Sequence, residues 1–369
     1  MGAIDETIEN PFPGPQPYRA CDRPRFYGRD ALTKKLVHQV LARPVTTLYG
    51  PSGAGKSSLM QAGVMPHLQD KHNFRFVVID GWPATPPPLE WLVQSLFVQL
   101  DIGAVPTKKT ILDQLDEALL RATRHSDRPI LVYLDQLEQL FFSGRDENAV
   151  ELFVDGLDRL SRAYIRNLQI VLSLREDYLG RFRDRLRDRQ QLLAHGFRVG
   201  PLSVAEMTNA VCRAASDGKP PQAWEENQLR TLIMDVRVPG QRASDEAEVQ
   251  SAYAQIVCRA LFDDRAKHGR HDNDCSVGAA AIMDRYLDTT IESLGKFKDA
   301  ARKLLEEHFI DAEGFRTLLT EKEARLVLPA EMADEILGKL EKWAILHAAE
   351  HQGSRYFELG HDWLARTVF

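Results

Sequence analysis

The sequence predicts the α/β class: a doubly wound parallel sheet, followed by a helical domain and a C-terminal winged-helix-like domain. Three observations predict it. Over the first 200 residues, short apolar and β-branched runs alternate with amphipathic helical stretches, as in a parallel sheet covered on both faces. A glycine-rich loop, Gly50-Pro51-Ser52-Gly53-Ala54-Gly55-Lys56-Ser57, stands between the first such strand and the helix after it. Beyond Pro201 the strand signals fade, helices dominate, and two strands return only near the end. A chain of 369 residues accommodates two or three domains. The shifts in character place an N-terminal arm at 1–25, the sheet domain at 26–200, the helical domain at 201–290 and the winged-helix-like domain at 291–369.

Taken in order, the stretch up to Pro24 is rich in proline and lacks periodicity, so it reads as an arm lying over a domain and not as a core element. Leu32, Leu36, Val37, Val40 and Leu41 recur at helical spacing, giving a helix that ends near Pro44. Pro44–Tyr49 is the first strand, and the helix after the glycine loop should stop at Pro66. Phe74–Asp80 reads as a second strand, closed by Gly81 and the prolines from Pro83 to Pro88. Helices follow at Leu89–Leu100 and Ile111–Arg124, then a nearly continuous apolar strand at Pro129–Asp135. An acidic amphipathic helix spans Glu147–Ala163, Leu168–Leu174 is the fourth strand, and Phe197–Val199 is a short fifth. Helices then run to about residue 308, interrupted by a polar loop at Asp263–Asp274. Glu331–Lys342 is helical, Trp343–Ala349 and Arg355–Leu359 are strands, and Gln352-Gly353-Ser354 turns between them.

Composition narrows the function classes. No apolar run approaches the roughly 18 residues needed to span a bilayer, and the N-terminus is acidic and unlike a signal peptide. The formal net charge of −6 does not favour a nucleic-acid partner. Cys21, Cys212, Cys258 and Cys275 lack metal or disulfide spacing, which fits reduced thiols in a cytoplasmic protein. His268, His271, Asp274 and Cys275 lie close in sequence but match no zinc pattern.

The chemistry concentrates at the strand ends. The loop fits G-x-x-x-x-G-K-[ST] at every fixed position, so its backbone N–H groups should cradle phosphates at a helix N-terminus. Lys56 would reach the terminal phosphates and Ser57 would hold Mg²⁺, with Ser58 completing the binding turn. Asp135, closing the third strand, is the expected second Mg²⁺ position. Glu138 is the candidate to orient or deprotonate the attacking water, with a helix-surface charge as its alternative. Gln136 sits where vigorous ATPases place a glutamate, so slow hydrolysis is expected. Arg175, directly after the fourth strand, would sense the γ-phosphate; otherwise it is a surface arginine paired with Glu176 or Asp177. The arginine-dense Arg181–Arg189 reads as a salt-bridged, solvated helix face, since it has no aromatic platforms for bases.

A set of ordered motifs resembles the novel STAND ATPases, signal-transduction relatives of the NACHT and NB-ARC switches. They are Asn10-Pro11-Phe12-Pro13-Gly14, Phe26-Tyr27-Gly28-Arg29-Asp30, the phosphate loop, Leu134-Asp135-Gln136-Leu137-Glu138, Leu174-Arg175-Glu176-Asp177-Tyr178, Gly200-Pro201-Leu202-Ser203 and Phe357–Leu364. The resemblance implies that Phe26, Tyr27, Gly28 and Arg29 lie against adenine and ribose, and that Pro201 packs on the base. It implies that His361, in Gly360-His361-Asp362, contacts the β-phosphate of ADP and locks a closed state; a satisfied surface or core histidine is the alternative. Gly360 replaces the family's methionine, a mild departure, and Gln139 stands where NACHT relatives often carry a second acid. The implied function is an ATP/ADP switch that assembles into a homo-oligomer on exchange, in bacterial defence or stress signalling. Its sensor and effector would be separate proteins or fused parts of a longer chain. A remodelling ATPase of the AAA+ kind and a non-hydrolysing nucleotide-binding scaffold are the alternatives. A DNA-reading winged helix is disfavoured by the acidic Glu331, Asp334 and Glu335.

Overall fold

The computed structural model describes residues 9–83, 85–125, 127–141, 146–162, 167–187, 189–268, 278–310, 317–351 and 354–360. They form two compact units: one built from Tyr18–Arg23 and Arg29–Gly200, the other from the segments up to Pro17, Pro24–Gly28 and Pro201 onward.

The first unit is a five-stranded sheet of β1 (Val45–Gly50), β2 (Arg75–Ile79), β3 (Ile130–Leu134), β4 (Leu168–Arg175) and β5 (Gly196–Arg198), in the order β2-β3-β4-β1-β5. Every pairing is parallel. Its helices are α1 (Asp30–Ala42), α2 (Lys56–Ser58), α3 (Met65–His72), α4 (Pro88–Leu100), α5 (Ile111–His125), α6 (Glu147–Arg162) and α7 (Leu179–Leu186). Alternate residues of each strand face opposite ways. Val45, Ile130, Val132, Leu134, Ile170 and Leu172 share an apolar core with buried residues of α4, α5 and α6. Tyr133, Val171 and Thr46 lie in one register row on the opposite face, and Leu48 pairs with Ser173 in the row that follows.

The helix after the glycine loop does not stop at Pro66. Leu59–Val64 forms a π-helical turn that joins α2 to α3, and the helix continues to His72. The amide of Met65 reaches back to Met60, and Pro66 sits in the first turn of α3, where a missing N–H is tolerated. The arginine-rich stretch 181–189 is salt-bridged as expected, but to acids of α6 and only in part as a helix: Arg185 of α7 pairs with Glu147, and Arg189, beyond the end of α7, pairs with Glu151 and Asp155.

The second unit holds α8 (Val204–Ser216), α9 (Glu226–Asp235), α10 (Ser251–His268), α11 (Ala279–Ser293) and α12 (Lys298–His308). After these come β6 (Leu319–Thr320), α13 (Glu321–Val327), α14 (Ala333–Lys342), β7 (Leu346–His351) and β8 (Ser354–Leu359). The three strands make an antiparallel sheet ordered β6-β8-β7. Capping boxes start two of the helices, Ser203 with Glu206 on α8 and Thr320 with Glu323 on α13. One apolar core runs from Leu202 to Leu359, through both the 201–290 and 291–369 segments. Tyr253 of α10 and Tyr286 of α11 donate hydrogen bonds to the carbonyls of Ala344 (2.8 Å) and Trp343 (3.0 Å), fixing the corner between α14 and β7.

Three expectations change here. The proline-rich arm contributes to the core: Phe12 is fully buried, 5.3 Å from the Trp224 ring and 6.2 Å from Phe262. Arg259 donates to the carbonyls of Phe12 and Pro13, so aromatic burial and main-chain capture replace the missing periodicity. The polar stretch from Asp263 to His268 is helical, continuing α10 from the buried Leu261 and Phe262, and the rest of the expected loop lies outside the described residues. Trp343 and Ala344 form the turn before β7 and are not strand, and the short β6–α13 pair escaped the periodicity.

Candidate nucleotide site

The glycine loop leaves β1 beside β4 and β5, at the carboxyl edge of the sheet where ligands of open α/β folds bind. Gly50 has no alternative, since a Cβ there would stand 2.1 Å from the Val199 carbonyl oxygen. Gly53 (φ 71°) and Gly55 (φ 87°) take left-handed backbone, with no atom within 4 Å of where their side chains would begin. Gly55 caps α2 in this conformation, so the turn delivers Lys56 and Ser57 at a helix start. Ala54 is buried, while Ser52 is exposed and Pro51 half-buried.

Lys56 Nζ donates to the carbonyls of Gly50 (2.9 Å) and Pro51 (3.0 Å). Burial lowers its pKa, opposed by the Glu138 and Asp135 carboxylates. Ser57 Oγ donates to Asp135 Oδ2 at 2.5 Å, and the amide of Gln136 donates to Asp135 Oδ1 at 2.9 Å. Asp135 is buried, and its main chain is held by its own amide on Ile79 (2.7 Å) and by the Trp82 indole on its carbonyl (2.8 Å). A hydroxyl and a carboxylate meeting this way are the oxygen donors that a hard divalent cation takes.

Glu138 lies in the 3₁₀ turn Leu137–Phe141 and is buried, so it is not a helix-surface charge. Its Oε2 accepts the amide of Arg175 at 3.2 Å. Burial raises its pKa, with Lys56 the main opposing influence. Arg175 is buried too; it donates to Asp177 Oδ2 at 2.7 Å, with its guanidinium 5.7 Å from the Tyr178 ring centre. Gln136 is exposed with φ 54°, and Gln139 accepts the Trp82 amide at 3.1 Å. Lys56, Ser57, Asp135, Glu138 and Arg175 therefore gather at the ends of β1, β3 and β4.

The remaining candidates are placed differently. Arg29, just before α1, donates to the carbonyls of Ala54 (3.0 Å) and Gly200 (2.8 Å), bracing the loop against the segment after β5. The Ser58 hydroxyl accepts the Tyr18 amide at 3.1 Å. Phe26, Tyr27, Gly28 and Pro201 belong to the second unit. There Tyr27 carries the Arg213 guanidinium 4.1 Å from its ring centre and bonds Asp217 through its hydroxyl. Gly28 (φ 81°) would press a Cβ to 3.3 Å from Ala210. Gly360 is more than a mild departure, since a side chain there would meet the Tyr253 hydroxyl at 2.1 Å and the Ala344 carbonyl at 2.6 Å. His361, and with it His271, Asp274 and Cys275, lie outside the described residues. Among the described residues no cluster of three metal-ligating side chains forms, and no helix is long and apolar enough to cross a membrane.

Reasoning from sequence missed Tyr133 and Ser173. Both are fully buried, on the same sheet face as Asp135, and neither hydroxyl bonds a protein group. The period of two back from Asp135 could have found Tyr133.

A parallel sheet with this loop and these strand-end side chains defines a P-loop nucleoside triphosphatase. The chain belongs to the novel STAND NTPase 1 family, whose sequence profile matches residues 11–249. No curated protein matches the sequence. Solved structures with the same fold include a Walker-type ATPase of Pyrococcus abyssi, at 14% identity over 96% of this chain and 98% of that one, TM-score 0.50. The Aeropyrum pernix ORC2 protein, solved in ADPNP–ADP complexes, matches at 15% identity over 92% of each chain, TM-score 0.56. The A. pernix ORC1 protein, solved in complex with DNA, matches at 14% identity over 93% of this chain and 92% of that one, TM-score 0.57.

Proposed function

We propose that this chain is the core of an ATP/ADP-dependent switch that hydrolyses ATP slowly. The observation that carries the reading is the Ser57–Asp135 contact beside Lys56 and the buried Glu138. Ser57 and Asp135 would hold Mg²⁺, which supplies charge neutralisation between phosphate oxygens when bound. The loop N–H groups and Lys56 bind phosphate oxygens in place of the loop carbonyls that Lys56 now bonds. Glu138, with a raised affinity for protons, accepts one from the attacking water. Arg175 stands at the same edge to meet the γ-phosphate. Gln136, exposed and turned by its positive φ, supplies no base, which supports weak hydrolysis.

The regulatory part of the proposal rests on family membership. ADP holds the closed form, Phe26, Tyr27, Gly28, Arg29 and Pro201 receive the adenosine, and His361 contacts the β-phosphate. The helix–strand–helix–helix–strand–strand order from α12 to β8 supports a winged-helix-like end. Exchange for ATP frees an oligomerisation surface, with a sensor and an effector as partners in a bacterial defence or stress response in the cytoplasm. Nucleic acid has no part in this reading. The first test is to denature the purified protein and chromatograph the nucleotide released. Near-stoichiometric ADP in the wild type and its loss in His361→Ala support the locked switch. An empty site with turnover on the order of 1 s⁻¹ would point to a remodelling motor instead.

A further inference from the structure

The sheet face beneath the glycine loop contains a hydroxyl whose presence the apolar packing does not explain. Tyr133, two residues before Asp135 on β3, is completely buried. Its hydroxyl lies beside the Asp135 carboxylate and the hydroxyls of Ser57 and Ser173, yet it forms no hydrogen bond of ordinary geometry with any protein group. The two carboxylate oxygens of Asp135 are each engaged once, Oδ2 by Ser57 and Oδ1 by the Gln136 amide. An ionised carboxylate has about four acceptor positions, so room for a further donor remains. A phenylalanine would fill the same volume without burying an unpaired polar group, and such groups are costly to leave unmade.

We infer that Tyr133 is a positioning residue for the divalent cation of the nucleotide site: its hydroxyl donates to the Asp135 carboxylate once Ser57 and Asp135 take up Mg²⁺. The inference rests on the nucleotide reading above and adds a residue to it. With the cation drawing on both Ser57 and Asp135, a third donor fixes the carboxylate plane, and the gain appears only in the cation-loaded state. Partners of this kind typically change metal affinity by roughly 10- to 100-fold.

The test uses Tyr133→Phe in the full chain with fluorescent ADP titrated in EDTA and in saturating Mg²⁺, together with a melting curve of nucleotide-free protein. The expected result is unchanged affinity in EDTA, a Mg²⁺-dependent gain in affinity at least about 10-fold smaller than wild type, and a nucleotide-free melting temperature equal to or above wild type. An unchanged Mg²⁺ gain overturns the inference. So does a lowered melting temperature with an unchanged Mg²⁺ gain, which would make the hydroxyl a structural group satisfied by buried water. Wild-type protein that binds ADP equally with and without Mg²⁺ overturns the inference and leaves the nucleotide reading standing. Wild-type protein that binds no nucleotide overturns both.

Discussion

The two faces of the sheet obey different rules. On the side of α4, α5 and α6, the inward residues of β1, β3 and β4 are almost wholly apolar, and the polar exception is satisfied: Thr47 Oγ1 donates to the Leu192 carbonyl. On the glycine-loop side, Thr46, Tyr133 and Ser173 are buried with hydroxyls that bond no protein group, on the face whose strands end at the ionisable Asp135 and Arg175. A buried polar group left without a partner costs about 1–3 kcal/mol, so this face gives up stability that the other face supplies. A ligand that binds only the folded state would offset that cost. The contrast teaches that the sheet separates folding from chemistry by the parity of its residues.

The comparison is broken most forcefully by Leu134→Ala on the apolar face. Leu134 is fully buried, and its truncation should cost about 2–5 kcal/mol, read as a lower denaturant midpoint. Nucleotide affinity of the folded fraction should fall by much less than stability does, because the Leu134 side chain lies on the sheet face opposite the glycine loop. A matching collapse of affinity would mean that the two faces are not separable.

Glu138→Gln tests the opposite side. Turnover should fall by about 10²-fold, while stability at neutral pH should hold or rise. The sign follows from burial, which raises the Glu138 pKa in the folded protein. The folded state then binds a proton more tightly than the unfolded chain, so stability falls as pH rises through the carboxylate range and stays lowered above it. The amide removes that dependence, so wild type and variant should diverge on raising the pH from 4 to 7. Unchanged turnover in Glu138→Gln would favour the non-hydrolysing scaffold.

The smallest effect belongs to Ser173→Ala. Removing an unpaired buried hydroxyl of similar volume should leave the nucleotide-free melting point level or slightly raised, by no more than about 1 kcal/mol. Thr47→Val, its counterpart on the other face, loses a made bond and should melt lower. Equal shifts would erase the distinction between the faces.

Much of this molecule was legible before its structure. The glycine loop, the four main strands and the placing of Lys56, Ser57, Asp135, Glu138 and Arg175 at strand ends follow from local pattern, because parallel strands are continuous in apolar residues and the polar residues come where they end. The helix through Pro66 was not legible, since a π-helical turn relocates the missing N–H in a way no residue type announces. Nor was Phe12, which has no periodic neighbours and is buried only because Trp224 and Phe262, more than 200 residues away, converge on it.

By itself, then, the sequence determined the phosphate loop, the strand-end carboxylates and arginine, and the alternation that makes an α/β sheet, since each depends on residues adjacent in the chain. Tertiary structure alone decided that Glu138 is buried, that Tyr133 stands unpaired beside Asp135, and that position 360 admits only glycine under the Tyr253 hydroxyl. Those properties arise from strands and helices far apart in sequence meeting at close-packed density, where a single Cβ or hydroxyl finds or lacks room.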